Sequence, residues 1–404
     1  MKKSKIRKVT DLLNQQELGN GFLPSHVPGI PLPAFMKKYS EALVRLPAYF
    51  SVNRPGVRSW LDANFSEFSH DVLNQLSASN KQIKSEALTV LSILIQSYRW
   101  QHCPPESEEY ERTKIVFPQG LYVPWKYLCD FFSIPLSNCY YFIIASNWTL
   151  SNKKPGVSYC FDDIDRQNLK ILYNWLEPPY AEQLEHFLLS FIELELFAPQ
   201  IIQSIVYAYD AIEKKDISFL RTSLLQIHAL IAEMSKSFGQ RIRQKNIRIT
   251  DWKEIIHIPF GWGISGLEGA SGMQVGSIAL LNTFLEIPSI SPLAKATLES
   301  RKYLLPKQRL LLEALDDIHI VRDFVHNSND KALIMLYNKC LIALSGWRIN
   351  HQKRGYLYLS HKSNKPQMAT GLTLEGLETG IAEIFHQEMQ TRIDETLGVM
   401  IDEH

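Results

Sequence analysis

Helical hydrophobic periodicity recurs along most of this chain and is the feature that most restricts its possible folds. From about Phe35 onward, apolar residues return every three or four positions, as on one face of an α-helix. Long examples are SEALTVLSILIQSYRW, for which Ser85 is the expected N-cap, AEQLEHFLLSFIELEL, SFLRTSLLQIHALIAEMSKSFGQRI and DKALIMLYNKCLIALSGWRINHQ. Strand patterns such as KIVFP and GYLYLS are few and short, and they do not alternate with helices. The sequence therefore predicts a mainly α fold.

Two prolines within Leu176–Gln183 separate helical segments and indicate a domain boundary. We predict a small N-terminal α domain with a few short strands over residues 1–178, packed on a large all-α domain over residues 179–404. The small domain is expected to include an extended, proline-rich arm, GFLPSHVPGIPLPAF. Pro199 predicts a break or kink among the first helices of the large domain.

The charge balance argues against a polyanionic partner. The 404 residues include 43 Lys and Arg and 42 Asp and Glu, a net charge of +1, so no long-range field favours nucleic acid or an anionic membrane surface. No uninterrupted apolar run approaches about 18 residues, and no membrane span is expected. Five cysteines without a CxxC pair favour reduced thiols and a cytoplasmic location.

One histidine lies on the apolar face of a predicted helix. The helix opens at NSND, with Asn327, Ser328 or Asn329 as its expected cap. Its apolar face continues through Leu333, Leu336, Cys340, Leu344, Trp347 and His351. Because no further ligands stand at zinc spacing, His351 is either a packed core residue or a haem ligand, since haem needs only one protein nitrogen. Arg348 is either a surface residue or a partner for a haem propionate.

Six glycines crowd the segment Gly261–Ile287. Its GWGISG matches GxGxxG only formally, because no buried strand precedes it and no helix follows at once. The segment instead predicts a glycine-rich loop that ends near Ser271 and is followed by an apolar helix. The loop is either a plain connection or a segment close to a ligand.

Six segments in order resemble the indoleamine 2,3-dioxygenases, which are haem proteins that open the indole ring of tryptophan with O2. The segments are GFLPSHVPGIPLPAF, VPWKYLCDFFSIPLSNCYYFIIASNW, GLEGASGMQVGSIALLNTFLEI, LLPKQRLLLEAL, YNKCLIALSGWRINH and ATGLT. The resemblance extends from about Gly21 to Gly398. It implies a small domain that covers the distal face of a haem b bound by the large domain.

The resemblance also assigns roles by position. His351 falls on the proximal haem-iron ligand, and Arg348 falls on the arginine that contacts a propionate. Further cofactor contacts are implied for Ala270, Ser271, Gly272 and Asn282. The distal pocket wall and a loop that closes over the substrate are implied for Tyr140, Ile143, Ile144 and Thr370. No residue is assigned as an obligatory acid or base.

The distal helix of the resemblance, EHFLLSFIELEL, aligns in two registers. One register places Ser190 on the family's distal serine, with His186 and Phe187 as the pocket aromatics. The other places Phe191 there, with Phe187 and Leu188. A shift of one residue rotates the helix by about 100 degrees, so only one register can face the haem.

Several positions depart from the family pattern. The arginine that anchors the substrate carboxylate is replaced by Ile256, or by His257 if one residue is gapped, and neither has the bidentate fork of arginine. Asn282 stands where a proximal-side aspartate is usual, which is expected to weaken electron donation by His351. Leu372 replaces a glycine in the closing loop and is expected to stiffen it.

The resemblance implies a haem-dependent dioxygenase that inserts O2 into the C2–C3 bond of tryptophan or a related indole. The missing arginine keeps open a second hypothesis, in which the same fold oxygenates another aromatic substrate, such as a modified indole, a phenol or a peptide. A third hypothesis is a non-enzymatic haem or gas-binding protein. The expected partners are O2 and a small aromatic molecule, bound by a monomer or weak homo-oligomer.

Overall fold

A computed structural model describes residues 7, 9–12, 20–49, 56–99, 115–256, 267–359 and 381–402. Over these ranges the chain is mostly helical, which confirms the predicted mainly α fold. The longer helices are α1 (Lys37–Tyr49), α2 (Val57–Phe65), α3 (His70–Ala78), α4 (Lys81–Arg99), α5 (Gln119–Phe132), α6 (Tyr180–Leu196), α7 (Ala198–Lys214), α8 (Ile217–Arg241), α9 (Gly276–Phe284), α10 (Pro292–Glu299), α11 (Pro306–Asp316), α12 (Val321–Asn327), α13 (Lys331–Leu359) and α14 (Ile381–Leu397). Short helical turns occupy Ala34–Met36, Tyr141–Ala145, Phe161–Asp163, Ile249–Asp251, Trp252–Ile256, Gly272–Gln274 and Ser300–Tyr303.

Helix α4 forms the centre of the N-terminal part. Every residue from Glu86 to Arg99 is buried, because α1, α2 and α5 pack around the helix. It begins four residues before the predicted cap, Ser85. Asn80 caps it instead, since its Oδ1 accepts the Ile83 N–H at 2.9 Å.

The proline-rich arm has little regular structure and is attached to the N-terminal part by backbone hydrogen bonds. The Val27 N–H donates to the Val157 carbonyl at 2.9 Å, and the Gly29 N–H donates to Glu86 Oε2 at 2.9 Å. The predicted extended arm is therefore an ordered part of this fold.

The strands found among the described residues form one antiparallel pair, β1 (Trp148–Leu150) with β2 (Leu169–Ile171). Their register pairs Trp148 with Ile171 and Leu150 with Leu169. Both strands predicted from the sequence are wrong. Residues 115–118 have no regular structure, and the described residues of GYLYLS form the last turn of α13. Tyr358 is buried there, so tertiary packing prevails over its strand propensity.

Helix α13 is the central helix of the C-terminal part, with α8 packed on one side and α14 on the other. The Cys340 Sγ contacts the Leu224 carbonyl of α8 at 3.3 Å. The Gln352 Nε2 donates to the His386 carbonyl of α14 at 2.8 Å. The cap of α13 is Asp330, whose Oδ1 accepts the Leu333 N–H at 2.9 Å. The cap predicted at Asn327, Ser328 or Asn329 is therefore wrong by one to three residues.

Helices α6 and α7 are separate, because α6 ends at Leu196 and α7 begins at Ala198, as Pro199 predicts. By length and composition alone, Tyr180–Lys214 is apolar enough to cross a membrane. Within the described structure, 67% of its most apolar window is buried, which is the pattern of core helices.

Buried apolar side chains form one continuous cluster through both parts of the described chain. The division at residues 178 and 179 stays a prediction. Among the described cysteines, Cys129, Cys139, Cys160 and Cys340 are unpaired thiols, and Cys103 lies outside the described residues.

Candidate functional site

A large, mainly apolar cavity opens between helices α6, α8, α13 and α14. Its empty volume is about 1350 Å³ when the open mouth is included. The apolar side chains of the lining are those of Phe187, Phe191, Phe238, Ile242, Ile247, Trp252, Met273, Ile278, Leu293, Trp347, Leu359, Phe385 and Met389. The lining residues that carry polar side chains are Ser271, Asn282, Thr297, Arg348, His351, Arg354, Tyr358 and Arg392. Such a lining suits a large apolar ligand with a few charged groups.

His351 contributes the imidazole of this cavity. It lies four residues after Trp347 on α13, so both side chains share one face of the helix. Burial lowers the pKa of His351 to about 4, so the ring is neutral near pH 7. No described residue forms a hydrogen bond with either ring nitrogen. A neutral imidazole in an apolar cavity has the chemistry of a haem ligand.

A polynuclear or zinc-like site does not fit the same surroundings. Within the described ranges, no cluster of three or more His, Cys, Asp or Glu residues could hold a metal ion. Structural zinc takes about four such ligands. A single imidazole therefore fits a group whose other ligands belong to the cofactor itself, as in haem.

Two buried arginines place positive charge at the cavity. Arg348 is 3% exposed, and it donates through Nη1 to the Arg392 carbonyl at 2.8 Å and through Nη2 to Asn282 Oδ1 at 2.6 Å. Arg392 is paired with Glu395. Burial and the nearby Arg392 lower the pKa of Arg348, but a guanidinium stays charged at neutral pH. Two cations beside one carboxylate leave a positive charge that suits a propionate.

A third lining arginine, Arg354, forms hydrogen bonds with backbone carbonyls of α8 and its C-terminal cap. Its Nε donates to the Ile242 carbonyl at 2.8 Å, and its Nη2 donates to the Gly239 carbonyl at 3.0 Å. Its Nη1 contacts Asn350. Arg354 thereby satisfies carbonyl groups at the C-terminal end of α8.

Helix α6 presents Phe187 and Phe191 to the cavity, one turn apart. His186 and Ser190 do not line it. The Ser190 hydroxyl donates to the Phe187 carbonyl at 2.6 Å within its own helix. Phe187 and Phe191 both belong to the register that places Phe191 at the distal position, while Leu188 of that register is buried outside the lining. The choice of register stays a prediction.

Tyr140, Ile143 and Ile144 are buried and do not line the cavity. Tyr140 nevertheless contacts the lining. Its hydroxyl donates to the Phe191 carbonyl at 3.2 Å, and the two rings meet edge to face at 6.2 Å. Its backbone N–H donates to Gln274 Oε1 at 2.8 Å. Tyr140 thus supports Phe191 from behind.

The glycine-rich segment is described from residue 267 onward, and it approaches the cavity at Ser271 and Gly272. The Ser271 Oγ accepts the Met273 N–H at 3.2 Å and caps a short turn. A Cβ at Gly272 would lie 3.2 Å from Phe191 Cε1, so a side chain there would crowd the ring. Ala270 is buried beside them but does not line the cavity.

A buried carboxylate, Glu195, connects α6 to this segment. It is fully buried. Its oxygens accept the N–H groups of Gly276 at 2.7 Å and Ser277 at 2.9 Å, at the N-terminus of α9. Burial raises the pKa of Glu195 to about 7. The sequence analysis did not predict this role. The two glutamates in the apolar run FIELEL could have indicated it, because a glutamate is rarely buried unless it is paired.

Of the remaining predicted substrate contacts, only Ile256 is among the described residues. Ile256 is buried and does not line the cavity. His257 and Thr370 lie outside the described residues. The sequence also did not indicate Phe238, Trp252, Phe385 or Arg392, because they come from helices far apart in the chain.

A sequence model described as indoleamine 2,3-dioxygenase matches residues 16–248 and 261–395 of this chain. These ranges cover most of the chain and include His351, Arg348 and the Phe187–Phe191 turn. The chain belongs to the indoleamine 2,3-dioxygenase family. It is 24% identical to human indoleamine 2,3-dioxygenase 2 over 278 residues, which are 65% of this chain and 64% of that protein. The aligned part is just under two thirds of the relative's length.

Haem is the expected cofactor of a member of the indoleamine 2,3-dioxygenase family, and the cavity fits it. A neutral imidazole without a hydrogen-bond partner among the described residues faces an apolar space. Buried arginines stand one turn away on the same helix and on α14. His351 and Arg348, with Arg392, would hold the iron and a propionate respectively.

Proposed function

We propose that this protein is a haem b-dependent dioxygenase that inserts O2 into the C2–C3 bond of tryptophan or a related indole. The observation that carries the proposal is the single neutral imidazole, His351, facing an apolar cavity beside two buried arginines. Membership of the indoleamine 2,3-dioxygenase family supports the reaction class.

Haem, when bound, supplies the binding and activation of O2, and the protein supplies position and surroundings. His351 would hold the iron through its unprotonated nitrogen, and Arg348 and Arg392 would orient the group through a propionate. The aromatic residues Phe187, Phe191 and Trp252 give the cavity an apolar lining, which favours exclusion of water when a substrate is bound. No acid or base on the protein is required by this proposal.

The substrate side of the cavity favours a flat aromatic molecule. Phe187 and Trp252 lie with their rings 4.6 Å apart, and Phe187 meets Phe191 edge to face at 5.1 Å. Rings in this arrangement attract an indole or phenol by offset or edge contacts.

A second candidate function follows from the missing arginine. Ile256, one of the two residues that align with the family's carboxylate anchor, is buried and apolar. The other, His257, lies outside the described residues. The same fold acting on a modified indole, a phenol or a peptide would not need that anchor. A haem or gas-binding protein without turnover is a third candidate.

The first experiment compares ferric, ferrous and ferrous–CO absorption spectra of the purified wild type with those of His351→Ala. We expect a Soret band of histidine-ligated haem in the wild type, and its loss or shift in the variant. Identical spectra, or a wild type without stoichiometric haem, would reject the proposal.

Turnover then separates the candidates. The haem-loaded protein is supplied with O2, a reductant and L-tryptophan, and the ultraviolet absorbance of N-formylkynurenine is followed. Product from a decarboxylated or modified indole but not from tryptophan would favour the second candidate. A stable ferrous–oxygen complex that no aromatic compound consumes would favour the third.

We also propose a cytoplasmic protein that is a monomer or weak homo-oligomer. Free thiols at the described cysteines support the reducing compartment.

A further inference from the structure

Haem-ligating histidines usually donate their second ring N–H to a carboxylate, carbonyl or water, which fixes the ring orientation. His351 lacks such a partner among the described residues. Arg348, three residues earlier on the same helix, is bonded to Asn282 and to the Arg392 carbonyl instead. Among the described residues, the contacts that can orient the imidazole are therefore apolar ones.

Three aromatic rings surround the imidazole. Trp347 stacks on it, with ring centroids 5.4 Å apart and an interplanar angle of 29°. Phe238 of α8 and Phe385 of α14 meet it edge to face, at 5.7 Å and 87° and at 5.5 Å and 82°. Trp347 also contacts Phe238 at 6.2 Å. We name Trp347, Phe238 and Phe385 the aromatic collar.

A glycine makes room for one ring of the collar. Gly355 lies one turn after His351 on α13. A Cβ at this position would lie 2.3 Å from Phe385 Cε1 and 2.5 Å from its Cζ, which is closer than real Cβ contacts. Glycine is unfavourable in a helix interior, so its presence here has a steric explanation. Phe385 reaches His351 through the space that any larger side chain would fill.

We propose that the aromatic collar, with Gly355, positions the haem ligand His351 by packing. This inference rests on the proposed function, because it takes His351 to bind the haem iron. Stacking on one face and edge contacts from two other helices restrict rotation of the imidazole. Trp347, Phe238, Phe385 and Gly355 are positioning residues, since they pack around His351 and none of them would bind iron itself.

The test uses the full chain loaded with haem and two readouts that do not depend on turnover. One is the iron–histidine stretching band in the resonance Raman spectrum of the ferrous protein. The other is the rate of haem transfer to excess haem-free globin. The variants are Trp347→Ala, Trp347→Phe, Gly355→Ala and Gly346→Ala. Gly346 is the matched control, because it lies on the same helix and a Cβ there meets nothing within 4 Å.

For Trp347→Ala and Gly355→Ala we expect haem loss about tenfold faster than in the wild type, with a shifted or broadened stretching band. Trp347→Phe keeps a stacked ring and should stay within about threefold of the wild type. Gly346→Ala should match the wild type in both readouts.

Unchanged haem loss and an unchanged band in both Trp347→Ala and Gly355→Ala would overturn the proposal. So would equal effects of Gly355→Ala and Gly346→Ala. If Trp347→Ala does not fold, Gly355→Ala decides, because alanine favours the helix itself. A wild type that binds no haem would reject the proposed function, and with it this inference, before any variant is compared.

Discussion

The two regions that flank the cavity are held in place by different interactions. Around His351, three aromatic rings contact the imidazole, and no described residue hydrogen-bonds to it. Around Tyr140, hydrogen bonds connect the backbone and side chains. Tyr140 bonds to Gln274 and to the Phe191 carbonyl, and Glu195 caps α9. The first region should therefore respond to side-chain volume, and the second to unsatisfied polar groups.

The largest loss of stability is expected for Glu195→Ala. It leaves two buried N–H groups, of Gly276 and Ser277, without an acceptor, at a cost of about 1–3 kcal/mol each in the free energy of unfolding. Urea unfolding of the variant and of Glu195→Gln measures this cost. Glu195→Gln keeps one carbonyl acceptor and should lose less. If Glu195→Ala lowers the free energy of unfolding by less than about 0.5 kcal/mol, the hydrogen bonds that Glu195 accepts contribute little to stability.

The same carboxylate should make stability depend on pH. Its pKa in the folded protein is raised from 4.5 to about 7, so the folded state holds the proton more tightly than the unfolded state does. Its contribution is full below about pH 4.5 and is lost as the pH rises to about 7, by up to about 3 kcal/mol. Relative to Glu195→Gln, the wild type should therefore lose stability across this range. If the free energies of unfolding of the two proteins change with pH in parallel, the pKa of Glu195 is not raised as expected.

A smaller loss is expected for Gly276→Ala, on the same side of the cavity. The added Cβ would lie 2.0 Å from Cδ1 of Phe22, which is buried. Overpacking of this kind costs about 1–3 kcal/mol. The control is again Gly346→Ala, which should be neutral or stabilising by up to about 1 kcal/mol. Thermal unfolding of the two variants compares them directly, and equal melting temperatures would show that Phe22 moves aside freely.

The smallest change is expected for His351→Leu in the haem-free protein. No hydrogen bond to a described residue is lost, and an apolar side chain suits the surrounding rings, so the free energy of unfolding should change by less than about 1 kcal/mol. Haem binding should nevertheless be lost. A destabilisation of several kcal/mol would mean that His351 has a structural partner and would weaken the contrast between the two regions.

Much of the architecture could be predicted from periodicity. The helix over 217–241 and the break at Pro199 are as expected, because each depends on local spacing and on proline geometry. Helix ends were predicted less well. Asn80 and Asp330 cap their helices a few residues from the expected positions, because several polar residues compete for each cap and the surrounding packing selects one.

By itself, the sequence determined that the fold is mainly helical, that His351 shares an apolar helix face with Trp347, and that six segments follow the order of a known family. These features are local or ordered along the chain. Only the tertiary structure decided that Phe187 and Phe191 face the cavity, and that Phe385 reaches His351 over Gly355. It also decided that Glu195 caps α9. Each of these contacts joins residues from separate helices, and such contacts depend on how whole helices pack and rotate against one another, which no local pattern encodes.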